Sequence, residues 1–541
     1  MIGNSKGPGT VYLVGAGPGH PGLITRLGYE LLQHCDAVAY DALVPLELIV
    51  ELPERVEKYY VGKRAGKHSL PQEDINELLV SLARRGRDVV RLKGGDPSIF
   101  GRSGEEAAYL TEAGIPVVVV PGVTAASAAA AISGFSLTDR RAASWVLMGT
   151  GHGADCSSIP VPWDQIAAIS GGTIALYMGL GRLDQIQGQL LSGGLSPDTP
   201  CAVVQCASTG LQKVLESPLC TLADECRTLG IKPPALIFIG EVVRHRRGRE
   251  RTTAEPLAGR TVLVTSPSWQ ASRQCGLLRE KGAEPIVYPT VARMAVADIE
   301  GWARFEKAIE SGGLCMYMGE IEVRHFIEQL YSHGLDLRSL GRFRIAALGR
   351  STATVLLNRG IKADLILNSG ERQAIAGRIS KLIPTESSPL VLVRGNLDDD
   401  FLEVLRREWA EVIPLTVCLD SRAEWEAHWK ENLIQNPPDY IVFASIAEVE
   451  GLIELMGADV THLCAKSYIA SLDKQVSEVI RKRGLQVAVE AKDSSVEGLV
   501  YALVSHLQEQ VAEPAGGRDI VDRPRTVPEE ESHHLPKPLC P

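Results

Sequence analysis

Two glycine-rich segments of the chain combine residue types that suit a bound small molecule. Residues 15–22 read GAGPGHPG and follow an apolar run, and Gly94, Gly95 and Asp96 follow a second apolar run. Glycine has no Cβ, so the main chain at such positions can lie close to a ligand. The carboxylate of Asp96 can accept hydrogen bonds or face positive charge. Both segments therefore predict a ligand-binding site.

The first segment permits a dinucleotide-binding interpretation. In a GxGxxG turn the glycines let a pyrophosphate approach a helix N-terminus, and an acidic residue about 20 residues further on binds the ribose. Here His20 stands in place of the third glycine and Gly22 comes two residues late, whereas Asp41 lies near the expected acidic position. A nicotinamide-dependent oxidoreductase therefore remains an alternative.

Composition argues against several classes of protein. A formal net charge of -10 and an aromatic content of 5% disfavour a nucleic-acid partner, which would call for a basic face and stacking platforms. Pro121 and Gly122 interrupt the longest uncharged run, so we expect no membrane span. The 11 cysteines include no CxxC pair, so we expect reduced thiols, no bound metal and a cytoplasmic protein.

The elements that would position the glycine-rich segments alternate between strands and helices. Strand-like runs lie at residues 11–14, 37–40, 89–92 and 117–120, and a helical pattern lies at residues 72–85. This alternation predicts an α/β fold with a largely parallel sheet. Open sheets of this kind bind ligands beyond the carboxyl ends of their strands, where the glycine-rich segments lie.

A second α/β unit follows a charged linker. A new strand is predicted at residues 261–264, and further strands at residues 286–288, 344–348, 390–393, 440–443 and 468–470. Helices are predicted at residues 323–331 and 476–483. We therefore expect one domain at residues 9–247, a linker at 248–256 and a second domain at 257–510. Residues 511–541 are rich in Pro, Glu and His, which predicts a disordered tail.

A series of motifs runs in order through residues 9–247. They lie at residues 15–25, 40–44, 62–66, 72–76, 90–106, 120–125, 150–152, 177–179 and 234–243. The longest, residues 90–106, reads VRLKGGDPSIFGRSGEE. Together they closely resemble the motifs of uroporphyrinogen-III C-methyltransferases. The resemblance implies a two-lobed tetrapyrrole methyltransferase domain that forms a homodimer and methylates a small-molecule tetrapyrrole, with S-adenosylmethionine as the methyl donor.

The resemblance also assigns expected roles to single residues. Asp41 and Lys63 would be the proton acceptor and the proton donor of the reaction. Arg64, Arg91 and Arg102 would meet the carboxylates of the tetrapyrrole, because guanidinium binds carboxylate in a bidentate way. The cofactor cleft would be lined by Pro18, Gly94, Gly95, Asp96, Ile99, Thr124, Ala125, Met178 and Ala207.

Three positions depart from the pattern of this family. His20 and Asp139 stand where the family usually has Asp and His, respectively. Residues 207–209, which read AST, replace a more usual Gly-Thr start. None of these changes removes the expected acid–base pair, so we expect them to alter affinity or rate at most.

The second half carries weaker motifs, at residues 259–264, 346–353, 391–395 and 440–445. They resemble uroporphyrinogen-III synthase. The resemblance implies two α/β lobes, one at about residues 257–293 plus 419–510 and the other between them, with a linear bilane bound in the cleft. The departures are residues 316–319 (MYMG), Cys418, and residues 469–473 (IASLD), which replace hydroxyl and glycine positions. Ser351, Thr352 and Ser445 remain as candidates for substrate contact.

The leading hypothesis is a bifunctional enzyme. The second half would cyclise hydroxymethylbilane to uroporphyrinogen III, and the first half would methylate it twice to precorrin-2, an entry to sirohaem and cobalamin. One alternative makes the second half a non-catalytic interaction module. Methylation of a later corrin intermediate or of diphthine is a further alternative, which the long motif at residues 90–106 disfavours.

Overall fold

The computed structural model describes residues 7–53, 55–62, 71–151, 161–247, 255–367, 372–379, 388–396 and 399–512. Lys63 and Arg64, most of the expected linker and all but the first two residues of the expected tail lie outside these ranges.

The first part of the chain forms a parallel sheet with helices on both faces. Its elements are β1 (Val11–Gly15), α1 (Arg26–His34), β2 (Ala37–Tyr40), α2 (Leu46–Val50), β3 (Glu57–Tyr60), α3 (Gln72–Arg84), β4 (Val89–Lys93), α4 (Ser103–Glu112), β5 (Val117–Val120) and α5 (Ala125–Ile132). The strand order is β3-β2-β4-β1-β5, and every pair is parallel. Strands β2 and β4 are buried along their whole length, as expected for strands covered on both faces.

A second sheet follows and differs from the parallel arrangement expected. Its elements are β6 (Trp145–Thr150), α6 (Trp163–Ala167), β7 (Gly172–Tyr177), α7 (Leu183–Ser192), β8 (Pro200–Gln205), β9 (Lys213–Pro218), α8 (Leu222–Thr228) and β10 (Ala235–Ile239). The order is β6-β7-β10-β8-β9, and among its pairs only β6–β7 is parallel. The short connection between β8 and β9 allows only an antiparallel pair, because a parallel pair needs a longer crossover.

The C-terminal half contains two further parallel sheets. Its elements are β11 (Thr261–Val264), α9 (Ser268–Glu280), β12 (Glu284–Val287), β13 (Val291–Ala295), α10 (Ile299–Ser311), β14 (Gly313–Tyr317), α11 (Glu320–Ser332), β15 (Phe343–Leu348), α12 (Arg350–Asn358), β16 (Leu365–Leu367), α13 (Arg372–Ile379), β17 (Leu390–Arg394), α14 (Asp399–Glu408), β18 (Val412–Thr416), β19 (Cys418–Arg422), α15 (Ala427–Gln435), β20 (Tyr440–Phe443), α16 (Ile446–Met456), α17 (Val460–Lys466), β21 (Tyr468–Ser471), α18 (Lys474–Lys482), β22 (Val487–Glu490) and α19 (Val496–Ala512).

These sheets form two lobes joined by an antiparallel ribbon. One sheet has the order β12-β11-β20-β21-β22, and the other has the order β16-β15-β14-β17-β18. Strands β13 and β19 pair with each other and connect the lobes. The expected two-lobed α/β arrangement with two crossovers is therefore confirmed. Each sheet is packed between clusters of buried apolar side chains. Within the described ranges, no helix is long and apolar enough to cross a membrane.

Candidate functional site

Three glycine-containing loops meet at the carboxyl edge of the first sheet. The order β4-β1-β5 makes the ends of these strands neighbours. The N–H of Gly17 donates to the carbonyl of Gly95 at 3.2 Å, and the N–H of Gly95 donates back to Gly17 at 2.7 Å. A Cβ on Gly15 would lie 2.7 Å from the Cα of Gly122 and 2.6 Å from the Gly95 carbonyl oxygen. Only glycine fits this three-way contact, so the loops define one edge of a cleft.

The second sheet supplies the opposite side of the cleft. The Tyr177 hydroxyl, at the end of β7, lies 2.6 Å from the Thr124 hydroxyl and accepts the N–H of Ala126 at 3.0 Å. Its ring packs against Phe100 at a centroid distance of 4.9 Å. These contacts hold the N-terminus of α5 against the end of β7. The sequence motifs included Tyr177 but gave it no role.

Several residues around the cleft have the left-handed backbone conformation that non-glycine residues rarely adopt. Phe100, Met178, Cys206 and Ser208 have φ values of 54°, 51°, 49° and 65°. Each such residue stores of order 1–3 kcal/mol of strain, and such residues cluster at ligand sites. Met178 is also 52% exposed, although it follows a buried strand. The strain therefore coincides with the cleft that the sequence predicted.

Both carboxylate oxygens of Asp96 accept hydrogen bonds from groups of the protein. One carboxylate oxygen accepts the N–H of Ser98 at 2.7 Å and also the Ser98 hydroxyl, and the other accepts the N–H of Gly122 at 2.9 Å. Its side chain therefore clamps the loop after β4 to the loop after β5. The carbonyl of Asp96 also accepts the N–H of Ile99 at 3.2 Å. The arrangement gives Asp96 a positioning role at the cleft.

The other expected cofactor residues lie along the same cleft. A Cβ on Gly95, whose φ is 70°, would enter open space with only the Ala125 nitrogen within 4 Å, at 3.8 Å. A Cβ on Gly19, beside Pro18, would lie 3.1 Å from the Ala207 carbonyl oxygen. Gly94 packs against Leu43. The structure thus brings the nine positions to one edge of the first sheet and the facing ends of the second.

A chain of four charged side chains, of which only Asp41 is partly exposed, lies beneath this edge. Arg91 donates to Asp41 Oδ1 at 2.8 Å and to Glu106 Oε1 at 3.3 Å. Lys93 Nζ lies 2.9 Å from both Glu106 oxygens. Glu106 is fully buried, and it also accepts a hydrogen bond from Gln72 at 3.0 Å. Burial lowers the pKa of Lys93, and the neighbouring Arg91 lowers it further.

The pairing of these charged side chains contradicts the expectation that Arg91 binds a substrate carboxylate. Its side chain is 3% exposed and is paired on both sides by carboxylates of the protein. It therefore fixes the orientation of Asp41 instead of offering its guanidinium to a substrate. The motif at residues 90–106 contained Lys93 and Glu106, but their pairing with each other follows only from the fold.

The remaining substrate and acid–base candidates are placed differently. Arg102 is exposed at the start of α4 and pairs with Glu105, with 2.6 Å between Nη2 and Oε2. Lys63 and Arg64 lie outside the described residues. The last described residue before them is Gly62, where a Cβ would lie 2.6 Å from the Ala42 nitrogen. Gly62 therefore lies beside the loop of Asp41.

Two residues that depart from the family pattern, His20 and Asp139, form hydrogen bonds with nearby residues. The His20 ring nitrogen Nδ1 accepts the N–H of Gly22 at 3.0 Å and so caps the turn at Pro21–Leu23. An aspartate can cap a turn in the same way. Asp139 accepts the N–H of Arg141 at 2.9 Å and pairs with its side chain.

In the C-terminal half, two of the three hydroxyls that were candidates for substrate contact form hydrogen bonds within the protein. Thr352 donates to the carbonyl of Leu348 at 2.6 Å, and Ser445 caps α16 by accepting the N–H of Glu448 at 3.3 Å. Ser351, at the start of α12, is exposed. Cys418 is fully buried in the ribbon. Among the described residues, no three His, Cys, Asp or Glu side chains are grouped to hold a metal ion.

Comparison with known proteins identifies both halves. Residues 10–223 match the family model of Tetrapyrrole (Corrin/Porphyrin) Methylases, and residues 273–501 match that of Uroporphyrinogen-III synthase HemD. A porphyrin biosynthesis protein HemD from Ruminiclostridium josui is 31% identical over 504 residues, covering 92% of this chain and 98% of that protein.

Other relatives match the first half. A siroheme synthase from Gluconacetobacter diazotrophicus is 44% identical over 259 residues, which cover 48% of this chain and 54% of that protein. A solved uroporphyrin III C-methyl transferase from Thermus thermophilus is 40% identical, with a TM-score of 0.38, and covers 44% of this chain and 99% of its own. The chain therefore belongs to a family of tetrapyrrole-biosynthesis enzymes in which a tetrapyrrole methylase domain precedes a uroporphyrinogen-III synthase domain.

Proposed function

We propose that the N-terminal half transfers methyl groups from S-adenosylmethionine to ring carbons of uroporphyrinogen III and forms precorrin-2. The observation that carries this proposal is the placement of Asp41, held by Arg91 at 2.8 Å, at the same sheet edge as the glycine cleft. Membership in the family leaves the nicotinamide-dependent alternative without support. The siroheme synthases share only about half their length with this chain, so their complete activity is not transferred to it.

The cleft fits the proposed methyl donor. The open space beside Gly95 lies in front of the Ala125 N–H at the start of α5. The N-terminus of a helix favours negative charge, so it suits the carboxylate of an amino-acid group. The exposed Met178 side chain offers an apolar, polarizable surface. When bound, S-adenosylmethionine would supply an electrophilic methyl group. Gly94, Gly95, Thr124, Ala125, Met178 and Ala207 would hold it, with Pro18, Asp96 and Ile99 shaping the cleft.

Residues of the chain would accept and donate the protons of the reaction. Methylation of a ring carbon requires loss of a proton from the macrocycle, and Asp41 is the proposed acceptor at its carboxylate. Arg91 occupies one carboxylate oxygen, Oδ1, and so orients the group. Asp41 is only half-buried, so a substrate can reach it. Lys63, which lies outside the described residues, is the proposed proton donor because the family resemblance implies that role.

Substrate carboxylates would meet exposed cations. Arg102 is exposed near the loop after β4, and exchange of its Glu105 partner for a tetrapyrrole carboxylate would keep a bidentate pair. Arg64 is a second proposed contact on sequence grounds. We also propose that the enzyme is a cytoplasmic homodimer, as the resemblance implies. Light scattering of the purified chain at several concentrations tests the dimer.

We further propose that the C-terminal half cyclises hydroxymethylbilane to uroporphyrinogen III. The two lobes joined by a ribbon, and the exposed Ser351 at the start of α12, support this activity. The inward bonding of Thr352 and Ser445 favours the alternative of a non-catalytic module.

One anaerobic assay tests both activities. The purified chain is given S-adenosylmethionine with either hydroxymethylbilane or ready-made uroporphyrinogen III. Dimethylated product from both substrates, with type III macrocycle from bilane alone, supports both activities. Product from ready-made uroporphyrinogen III alone supports the methyltransferase and the non-catalytic alternative. Without product from either substrate, the proposed function is wrong.

A further inference from the structure

The C-terminal half touches the N-terminal half at the ends of β2 and β3. The contact comes from Glu426, which precedes α15, and from His428 in the first turn of that helix. The Tyr40 hydroxyl, at the end of β2, donates to Glu426 Oε1 at 2.5 Å. The Tyr60 ring, at the end of β3, stacks on the His428 ring with 3.9 Å between centroids and 15° between planes.

These four side chains form a closed cluster. The Tyr40 and Tyr60 rings meet edge to face at 5.4 Å, and His428 Nδ1 lies 3.3 Å from Glu426 Oε2. Tyr40 is 1% exposed and His428 is 7% exposed. A hydrogen bond from a hydroxyl to a carboxylate is among the stronger ones in proteins. The cluster therefore fixes both strand ends against the C-terminal half.

The end of β2 leads directly into the proposed proton acceptor. Tyr40 immediately precedes Asp41. Tyr40 and Tyr60 are register partners, and the N–H of Val61 donates to the Tyr40 carbonyl at 3.0 Å. A Cβ on Gly62 would lie 2.7 Å from the Tyr60 hydroxyl. A shift of either tyrosine would therefore move Asp41 or Gly62.

The C-terminal side of the contact is itself anchored. Glu426 directly precedes α15, and its carboxylate does not cap that helix, so it can reach across to Tyr40. Trp429, one residue after His428, stacks on Tyr288 at 4.8 Å with 6° between planes. Both aromatic rings belong to the buried core of the lobe that contains β11 and β20.

We propose that Glu426 and His428 are positioning residues of the methylation site, through which the C-terminal half holds Tyr40 and Tyr60 and so aligns the loop of Asp41. This inference rests on the proposed function of that loop. It makes the second half part of the methyltransferase, whether or not that half is catalytic.

The test compares variants of the full chain in the methylation assay with ready-made uroporphyrinogen III. Glu426→Ala and His428→Ala should each lower kcat by about tenfold to a hundredfold, because a misplacement of 1 Å can have that effect. The KM for S-adenosylmethionine should stay unchanged. Glu426→Gln keeps an acceptor oxygen and His428→Phe keeps the stacking, so both should recover most of the activity.

A matched control uses another contact between the halves. The Ser272 hydroxyl donates to Glu51 Oε1 at 2.6 Å, at the C-terminal end of α2. Ser272→Ala should therefore keep the wild-type kcat. Wild-type kcat in Glu426→Ala and His428→Ala would overturn the inference. So would an equal loss in the conservative variants, which would indicate general damage to the fold.

Hydrogen exchange separates failure of this inference from failure of the proposed function. A wild-type chain that does not methylate uroporphyrinogen III contradicts the proposed function. In that event, faster amide exchange at residues 57–62 in Glu426→Ala, but not in Ser272→Ala, still supports the positioning contact. Unchanged exchange at those residues in Glu426→Ala overturns it.

Discussion

The variant Glu106→Gln tests the buried charge chain beneath the cleft. Glu106 is fully buried and faces two cations, with Lys93 Nζ at 2.9 Å and Arg91 Nε at 3.3 Å. The neutral amide removes one negative charge and turns its NH2 group toward one of the cations. Removing one partner of a buried ion pair destabilises a protein by about 3–5 kcal/mol, because the other charge stays buried and uncompensated.

Calorimetry measures this loss. A loss of 1 kcal/mol lowers the Tm of a unit of about 150–250 residues by roughly 2–4 °C, so the transition of the N-terminal half should fall by about 6–20 °C. As a control, Glu30→Gln removes the exposed ion pair with Arg26, whose side chains are 53% and 92% exposed. Exposed pairs contribute about 0–1 kcal/mol, so this control should stay near the wild-type Tm.

The destabilisation caused by Glu106→Gln should become smaller as pH rises. Burial lowers the pKa of Lys93, and Glu106 opposes that effect. In Glu106→Gln the pKa of Lys93 therefore falls further, and the folded variant releases this proton at a lower pH than the folded wild type. Over that interval the free energy of unfolding rises more with pH in the variant. The difference from wild type should thus narrow as pH rises toward the ordinary pKa of lysine, about 10.4.

A double-mutant cycle with Lys93→Met isolates the pair. The double variant removes both charges, so it should be more stable than the sum of the two single losses predicts. Additive losses, a Tm for Glu106→Gln within about 2 °C of wild type, or a difference that widens with pH would each refute the reasoning.

Three further predictions concern the cleft and the contact between the halves. Asp41→Asn should lower kcat by about 10²–10⁴-fold and leave S-adenosylmethionine binding by calorimetry unchanged; wild-type kcat would remove Asp41 from the reaction. Gly95→Val fills the cleft at a φ of 70° and should weaken that binding by at least about tenfold, whereas Gly188→Ala on α7, with nothing within 4 Å, should not; equal affinities would place the ligand elsewhere. Burial raises the pKa of Glu284, which accepts the Gly210 N–H at 2.7 Å, to about 7. The folded wild type therefore binds more protons than the unfolded chain between about pH 4.5 and 7, so its stability falls as pH rises. Glu284→Gln should be more stable than wild type at pH 8 by about 1–3 kcal/mol in thermal melts, and an unchanged pH slope would contradict this.

The sequence predicted the strands of the core well because their apolar runs are bounded by glycine, proline and charge. The strands expected at residues 37–40, 117–120, 261–264 and 440–443 have the observed bounds. The second sheet of the first half was harder to predict from the sequence. Its strands pair mostly antiparallel, β8 begins with Pro200 and β9 ends at Pro218. Strand direction depends on connections, which local patterns do not record.

The cleft residues could be found because motif spacing survives in the sequence, but the partners of each charge could not. Arg91 reads as a free cation in the motif at residues 90–106, and only the parallel pairing of β2 with β4 places it against Asp41. The contact between Tyr40 and Glu426 spans 386 residues and joins two domains. Periodicity and motifs within one half of the sequence cannot predict which residues of the other half it contacts. A family motif therefore predicts which side chains meet the ligands, while the side chains that hold them in place are set by packing between strands and halves. For this chain, substitutions at Glu106 and Glu426 should thus affect methylation although neither residue contacts the ligands in the proposed mechanism.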